Sequence, residues 1–133
     1  MTEGVANLTM EGAVNMSDLK INVRSNQAIA VLEPVGYINA HTARHFEDAL
    51  QKLVDGNQLN IVINCHGLSY IASAGLGVIM GFIDQIRESN GDIRLCSLNE
   101  TVFNIFDVLG FTQLYSIFEN EDIAVKSFES RPQ

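Results

Sequence analysis

The chain has 133 residues, of which 47% are hydrophobic, and it carries a formal net charge of −8. A chain of this length buries enough apolar surface to fold as one domain without disulfides or metal ions. Its negative charge repels phosphate backbones and anionic lipid surfaces, which argues against direct binding of nucleic acid. It has no apolar stretch of membrane-spanning length and no N-terminal basic region followed by an apolar core. We therefore expect a cytoplasmic protein without membrane insertion.

The first patterned part of the chain is predicted to be a hairpin. Apolar and polar residues alternate over residues 19–23, which is typical of a half-buried strand. A polar turn at residues 25–27 separates it from a second predicted strand at residues 28–32. Pro34 is expected to stop the regular pairing of this second strand.

Helices and strands alternate in the rest of the chain. Short apolar runs at residues 59–63, 93–96 and 114–118 predict strands. Between and after them the pattern predicts four helices, the last two capped by Asn99 and Asn120. The core-facing residues of the first three helices are predicted to be Phe46, Ala49, Leu50 and Leu53; Leu76, Ile79, Ile83 and Ile86; and Val102, Phe103, Phe106 and Leu109.

This order of elements predicts an α/β fold, with a mixed sheet that is opened by a hairpin and joined by parallel crossovers through about four helices. The pattern shows no internal repeat and no linker. We predict one domain at residues 18–129, preceded by a flexible segment at 1–17 and followed by a short tail at 130–133.

The cysteines and histidines do not form a pattern that predicts a disulfide, a redox site or a metal site. Cys65 and Cys96 each end an apolar run and do not form a CxxC pair, so we predict two reduced, buried thiols. His41 and His45 can share a helix face, but Thr42 stands where a metalloprotease needs glutamate. We predict no metal site and no cofactor.

Residues 67–81 form the least ordinary segment, because they follow a buried strand and open a helix that contains glycines. Ser73 stands at the predicted start of this helix, where its hydroxyl can serve as an N-cap. Gly77 and Gly81 each cost roughly 1 kcal/mol relative to alanine inside a helix. The residues alone leave two explanations open, tight packing within the domain or a docking surface for a partner. Such a surface would also include Ala74, with Val78 and Phe82 near it.

Known nucleotide and nucleophile motifs do not fit this segment. Met80 occupies the third glycine position of a GxGxxG pattern, and the GxxxxGK[ST] pattern is absent from the sequence. Ile71 stands where the GxSxG pattern around a catalytic serine requires glycine. We predict neither a nucleotide site nor a catalytic residue.

Residues 67–78, with the sequence GLSYIASAGLGV, resemble the signature loop and helix of STAS domains, in particular those of bacterial anti-sigma factor antagonists. The turn at residues 90–93 and the segment at 102–111 also resemble this family, and the likeness extends over about residues 19–128. Ala72 and Ala74 stand where the family pattern has aspartate and serine or threonine beside the central serine.

The resemblance implies a single STAS domain with a regulatory rather than an enzymatic function. It implies that Ser73 is phosphorylated by an anti-sigma factor that is also a serine protein kinase. The unphosphorylated chain would bind this partner and so release a sigma factor, and a metal-dependent serine phosphatase would remove the phosphate. The expected partner-binding residues are Tyr70, Ile71, Ala72, Ser73, Ala74, Gly75, Gly77, Val78, Gly81 and Phe82.

Two other functions stay open at this point. Lone STAS domains also occur as subunits of transporter or stress-signalling complexes, in which phosphorylation is not needed. A small-ligand sensor or a weak enzyme would require a pocket that the sequence does not show.

Overall fold

The structure is a computed structural model that describes residues 18–129. The predictions for residues 1–17 and 130–133 lie outside the described residues. Within the described range, strands and helices alternate after an opening hairpin. Their bounds are β1 Leu19–Asn26, β2 Ile29–Ile38, α1 Ala43–Asp55, β3 Asn60–Asn64, β4 Leu68–Ile71, α2 Ser73–Glu88, β5 Asp92–Cys96, α3 Glu100–Val108, a 3₁₀ turn Phe111–Gln113, β6 Ile117–Phe118 and α4 Glu121–Lys126.

The strands form one mixed sheet in the order β1-β2-β3-β5-β6. β1 and β2 pair antiparallel, whereas β2–β3, β3–β5 and β5–β6 pair parallel. β4 pairs parallel with the last residues of β2, so β3 and β4 follow one another along β2. The predicted α/β fold, with a hairpin, a mixed sheet and four helices, is confirmed.

The prediction for Pro34 is wrong, because β2 continues through it to Ile38. Pro34 lies opposite Ile21 of β1. The neighbouring hydrogen bond from Tyr37 N–H to the Asp18 carbonyl shows that alternate residues of β2 bond to β1, and Pro34 is not among them. The nitrogen of Pro34 therefore faces away from β1. On that side of β2, the pairing with β3 ends at Leu32 and the pairing with β4 begins at Gly36, so no strand requires an N–H from Pro34. A missing N–H does not break the sheet there.

The core has one large part and one small part. The large cluster lies between the sheet and α1, α2 and α3, and the small cluster lies between the sheet and α4. The predicted stripes of α1 and α2 are confirmed by the burial of their Leu, Ile and Phe residues. In α3, Val102 and Phe106 are buried, but Phe103 and Leu109 are 40% and 53% exposed, so these two predictions are wrong. This short helix buries one row of residues four apart, and Leu109 lies beyond its last turn.

Cys65 and Cys96 are free and buried, as predicted. Cys65 directly follows β3 and donates its backbone N–H to the carbonyl of Cys96, the last residue of β5, yet Cys65 belongs to the large cluster and Cys96 to the small one. Burial raises the pKa of the Cys96 thiol to about 11 and raises that of Cys65 further. Both thiols are therefore held in the protonated, unreactive form at neutral pH.

A polar network around Glu121 fixes α4 against the sheet. The Arg24 guanidinium donates to both Glu121 oxygens, with the Nη1–Oε2 distance at 2.8 Å, and its Nε donates to Glu33 at 3.1 Å. Asn26 and Asn64 donate their side-chain amides to Glu121 at 2.6 and 2.9 Å. One carboxylate thus joins β1 and β3 to the first turn of α4. The Arg24 hydrogen bond is the main cause that lowers the pKa of Glu121 to about 2, with Asn26 and Asn64 acting in the same direction against burial.

We predict that Glu121→Gln destabilises the domain at pH 7 by about 1–3 kcal/mol, the range for hydrogen bonds to a charged group. The folded-state pKa lies below the ordinary value of 4.5, so the wild-type advantage is present above pH 4.5 and is lost as the pH falls toward 2. Urea unfolding at a series of pH values measures both effects. Glu119→Gln, a change at an exposed carboxylate two residues away, is the control and should show neither effect. A pH-independent difference for Glu121→Gln would contradict the prediction.

Candidate functional site

The candidate site lies where β4 ends and α2 begins. β4 was not predicted, because its pairing depends on the distant strand β2. The pairing continues past β4 with a 2.8 Å hydrogen bond from Ala72 N–H to the Ile38 carbonyl. Ala72 therefore stays extended and becomes the N-cap, and its carbonyl accepts from the N–H groups of Gly75 and Leu76.

This geometry corrects the predicted role of Ser73 as the N-cap. Ser73 is the first residue of α2, and the cap position is held by Ala72, whose side chain has no acceptor. The Ser73 side chain is exposed, and α2 starts without a side-chain cap hydrogen bond. The Ser73 hydroxyl is thus not engaged in capping, and it stands at the surface next to the positive end of a 16-residue helix.

Gly75 determines how closely α2 approaches the sheet. A Cβ atom at this position would lie 2.4 Å from Ile38 Cγ2 and 2.8 Å from Ile71 Cγ1. Both isoleucines are fully buried, so they have little room to move aside. The absence of a side chain at Gly75 lets the first turn of α2 rest on the ends of β2 and β4, which places Ser73 beside β4.

The opposite face of α2 is open. A Cβ atom at Gly77 or at Gly81 would meet nothing within 4 Å among the described residues. Their lack of a side chain is therefore not explained by packing within the described part of the domain. Ser73, Gly77 and Gly81 are spaced four apart and share one exposed face, which we call the α2 face.

The structure divides the ten predicted partner-binding residues into two groups. Tyr70 is 40% exposed, and Ala72, Ser73, Ala74, Gly77, Val78 and Gly81 are exposed or half-buried around the start of α2. Ile71, Gly75 and Phe82 are buried, so these three residues do not belong to the accessible surface. Phe82 follows Gly81 directly, but one residue turns a helix by about 100°, which is enough to point its ring into the core.

Sequence reasoning missed three residues of the α2 face. Met80 is 49% exposed beside Gly77 and Gly81, and Asp84 and Glu88 continue the exposed face toward the end of the helix. The signal that could have found them is the helical spacing from Ser73 through Gly77, which continues at three- and four-residue steps. The face is therefore small and apolar near Ser73 and acidic at its far end.

The described residues offer no alternative site for metal chemistry. Across residues 18–129, no group of three His, Cys, Asp or Glu side chains is arranged to hold a metal ion. His41, His45 and His66 are all exposed. In the same range, no helix has the combined length and apolar character needed to cross a bilayer.

Comparison with known proteins identifies the family. The STAS domain family model matches residues 20–124, so the chain belongs to the STAS domain family. A putative anti-sigma factor antagonist, BtrV of Bordetella bronchiseptica, is 30% identical over 71% of this chain and 82% of its own length. The anti-sigma F factor antagonist of Paenibacillus polymyxa is 25% identical over 84% of this chain and 97% of its own length.

Solved structures show the same fold. An anti-sigma factor antagonist from Mycobacterium paratuberculosis superposes with a TM-score of 0.79 at 15% identity, covering 89% of this chain and all of that one. The murine anion transporter Slc26a9 also contains this fold, with a TM-score of 0.65 at 15% identity over 81% of this chain and 19% of the transporter.

The two kinds of glycine in α2 should respond in opposite ways to alanine. Gly75→Ala should lower the free energy of unfolding by up to about 2 kcal/mol, because overpacking typically costs about 1–3 kcal/mol and helix propensity returns only about 1 kcal/mol. Gly77→Ala gains the propensity without a clash and should stabilise the domain by up to about 1 kcal/mol. Urea unfolding of the two variants measures the difference. A loss of stability in Gly77→Ala would show that Gly77 packs internally.

Proposed function

We propose that this chain is an anti-sigma factor antagonist that works as a phosphorylation-dependent partner switch. Unphosphorylated, it binds an anti-sigma factor with serine kinase activity through Ser73, Tyr70 and the α2 face, and thereby releases a sigma factor. Phosphorylation of Ser73 ends the binding, and a metal-dependent serine phosphatase restores it. The protein is a substrate and a ligand in this cycle rather than an enzyme, and the cycle takes place in the cytoplasm.

One observation carries the proposal: the Ser73 hydroxyl is exposed at the start of a helix whose adjoining face is open at Gly77 and Gly81. A kinase must reach the hydroxyl and hold the surrounding backbone, and glycines allow a partner to approach the helix closely. The names of the relatives support a role opposite an anti-sigma factor.

The physical effect of the phosphate falls on the interface and not on the fold. A phosphoryl group adds a charge of about −1.5 to −2 at neutral pH. At the first residue of α2 this charge lies near unbonded backbone N–H groups and the positive end of the helix dipole, which tolerate it. In a docked complex the same dianion would have to lose its water against a closely approaching partner, which opposes binding.

A second function, as a non-phosphorylated STAS subunit of a transporter or stress-signalling complex, is supported only by the fold shared with the transporter Slc26a9. The two functions are distinguished by incubation with ATP and the cognate kinase. An increase in intact mass by one phosphoryl group favours the switch, whereas stable co-purification with a membrane transporter and no change in mass favours the subunit.

Substitutions of Ser73 should separate binding from phosphorylation. Ser73→Ala should bind the kinase as wild type does but accept no phosphate. Its stability should change by no more than about 0.5 kcal/mol, because the hydroxyl does not cap α2.

Ser73→Asp should fold and bind the kinase at least about tenfold more weakly than wild type, equivalent to about 1.4 kcal/mol, and phosphoserine should weaken binding further. Calorimetric titration with the cognate anti-sigma factor kinase measures all four forms. Equal affinity for wild type, Ser73→Asp and phospho-Ser73 would exclude the switch.

Gly77→Leu should fold normally and bind the same kinase more weakly. The leucine meets no neighbour in the domain, so it would project from the α2 face into the space that the partner needs. Asn104→Leu places a leucine at an exposed helix position of α3 and serves as the matched control. Loss of affinity by at least about tenfold in Gly77→Leu alone supports the proposed contact surface. Unchanged affinity in both variants would place the interface elsewhere.

A further inference from the structure

The outer edge of β1 is unoccupied by any other strand among residues 18–129. β1 is the first strand in the order of the sheet and pairs only with β2. In an antiparallel pair, every second residue forms backbone hydrogen bonds with the neighbouring strand. Because Asp18 bonds to Tyr37, the residues of β1 that bond to β2 include Lys20, Asn22 and Arg24. The backbone N–H and C=O groups of the residues between them consequently point outward. These outward positions are Leu19, Ile21, Val23 and Ser25.

This edge lacks most of the features that usually protect an edge strand. Its eight residues pair with β2 in one continuous register, without a bulge, and contain no proline. The Arg24 side chain is held by Glu33 and Glu121 on the face that carries α4. Lys20 is the one other charged side chain on the strand. A long regular edge of this kind is a template for another strand.

An apolar cleft runs beside the edge, between β1 and α1. Its floor includes Ile21, Ala49, Leu53 and Val23, which is 50% exposed. Its lining contains one acidic and one basic residue, Asp48 and Lys52, whose formal charges cancel, and the exposed His45. Asp48 also forms an ion pair with Arg44, outside the cleft lining, at 3.4 Å. The lining of the cleft therefore has no net formal charge. The net charge of −8 on the whole chain opposes the association of two copies through its acidic surfaces, but not through this cleft.

We propose that a second copy of this chain pairs with the edge, so that two β1 strands lie antiparallel across a two-fold axis. The outward groups allow a register in which Ile21 faces Ile21 of the second copy and Leu19 faces Val23. Every outward apolar residue then has an apolar partner, and Lys20 faces Asn22. Shifting this register by two residues places Lys20 opposite Arg24 and Leu19 opposite Ser25, which is less favourable because like charges repel and an apolar pair is lost.

The neutral rim suits this arrangement. A two-fold axis brings the rim of each copy toward the same rim of the other, so a surface with only one sign of charge would repel itself. Asp48 and Lys52 lie one helical turn apart and supply both signs. The two cleft rims therefore approach each other without a net charge of one sign.

This inference is independent of the proposed switch. α1 packs against both β1 and α2, and so it separates the β1 edge from the α2 face. Two copies joined through β1 leave both Ser73 side chains accessible.

Sedimentation equilibrium of the full 133-residue chain tests the proposal. We expect the average mass to rise with concentration from 14.6 kDa toward twice that value. Val23→Lys should raise the dissociation constant of the dimer at least about tenfold, because it places a cation opposite the apolar Leu19 of the second copy. Val108→Lys changes a valine that is 83% exposed on α3 and should behave as wild type. A wild-type chain that stays at the single-chain mass overturns the proposal, and so does a dimer that Val23→Lys leaves intact.

Amide hydrogen exchange tests the register directly. As the concentration rises, the N–H groups of Ile21 and Val23 should become protected, whereas those of Asn22 and Arg24, which already bond to β2, should change little. Equal changes at all four positions would overturn the strand pairing. A chain that begins at Asp18 provides the last comparison: if it dimerises while the full chain does not, residues 1–17 occupy the edge and the proposal is overturned.

Discussion

The close contact of Gly75 with Ile38 and Ile71 is the constraint on which the candidate site depends. It lets the first turn of α2 lie directly on the ends of β2 and β4, and the hydrogen bond from Ala72 to Ile38 joins the loop to the sheet at the same place. Because both isoleucines are fully buried, the start of the helix is held by the rigid core rather than by a surface loop. Ser73 consequently has a fixed backbone position, while its side chain makes no cap hydrogen bond to the helix.

That separation of roles suits the phosphorylation that we propose for Ser73. In a serine that caps its helix, phosphorylation would replace the capping hydroxyl by a bulkier dianion, and the change would act on the start of the helix as well as on binding. Here the cap position belongs to Ala72, and the open glycines of the α2 face leave room for a partner's backbone. The proposed phosphorylation of Ser73 would then act on the partner through charge and desolvation while the domain keeps its structure.

The two faces of the sheet are held by different kinds of interaction. α1, α2 and α3 cover a continuous apolar cluster, whereas α4 covers a smaller one and is also attached through the Glu121 network. The network uses Arg24 of β1, which keeps that side chain on the α4 side of the edge strand. The opposite side of the same strand is left apolar and only partly covered by α1, and this asymmetry is the source of the neutral cleft.

The sequence by itself determined the order of the elements other than β4, and most of the core. Hydrophobic periodicity marks the stripes of α1 and α2, and both asparagine caps are confirmed by 2.8 and 3.0 Å bonds to Val102 N–H and Ile123 N–H. These features are local, so neighbouring residues suffice to specify them. Only the tertiary structure decided the rest: that β2 passes through Pro34, that β4 exists, that Ala72 rather than Ser73 caps α2, and that Gly75 is buried while Gly77 and Gly81 are open. Each of these depends on which distant strand lies alongside, and a strand pairing is set by contacts between residues far apart in the chain, which local patterns do not encode.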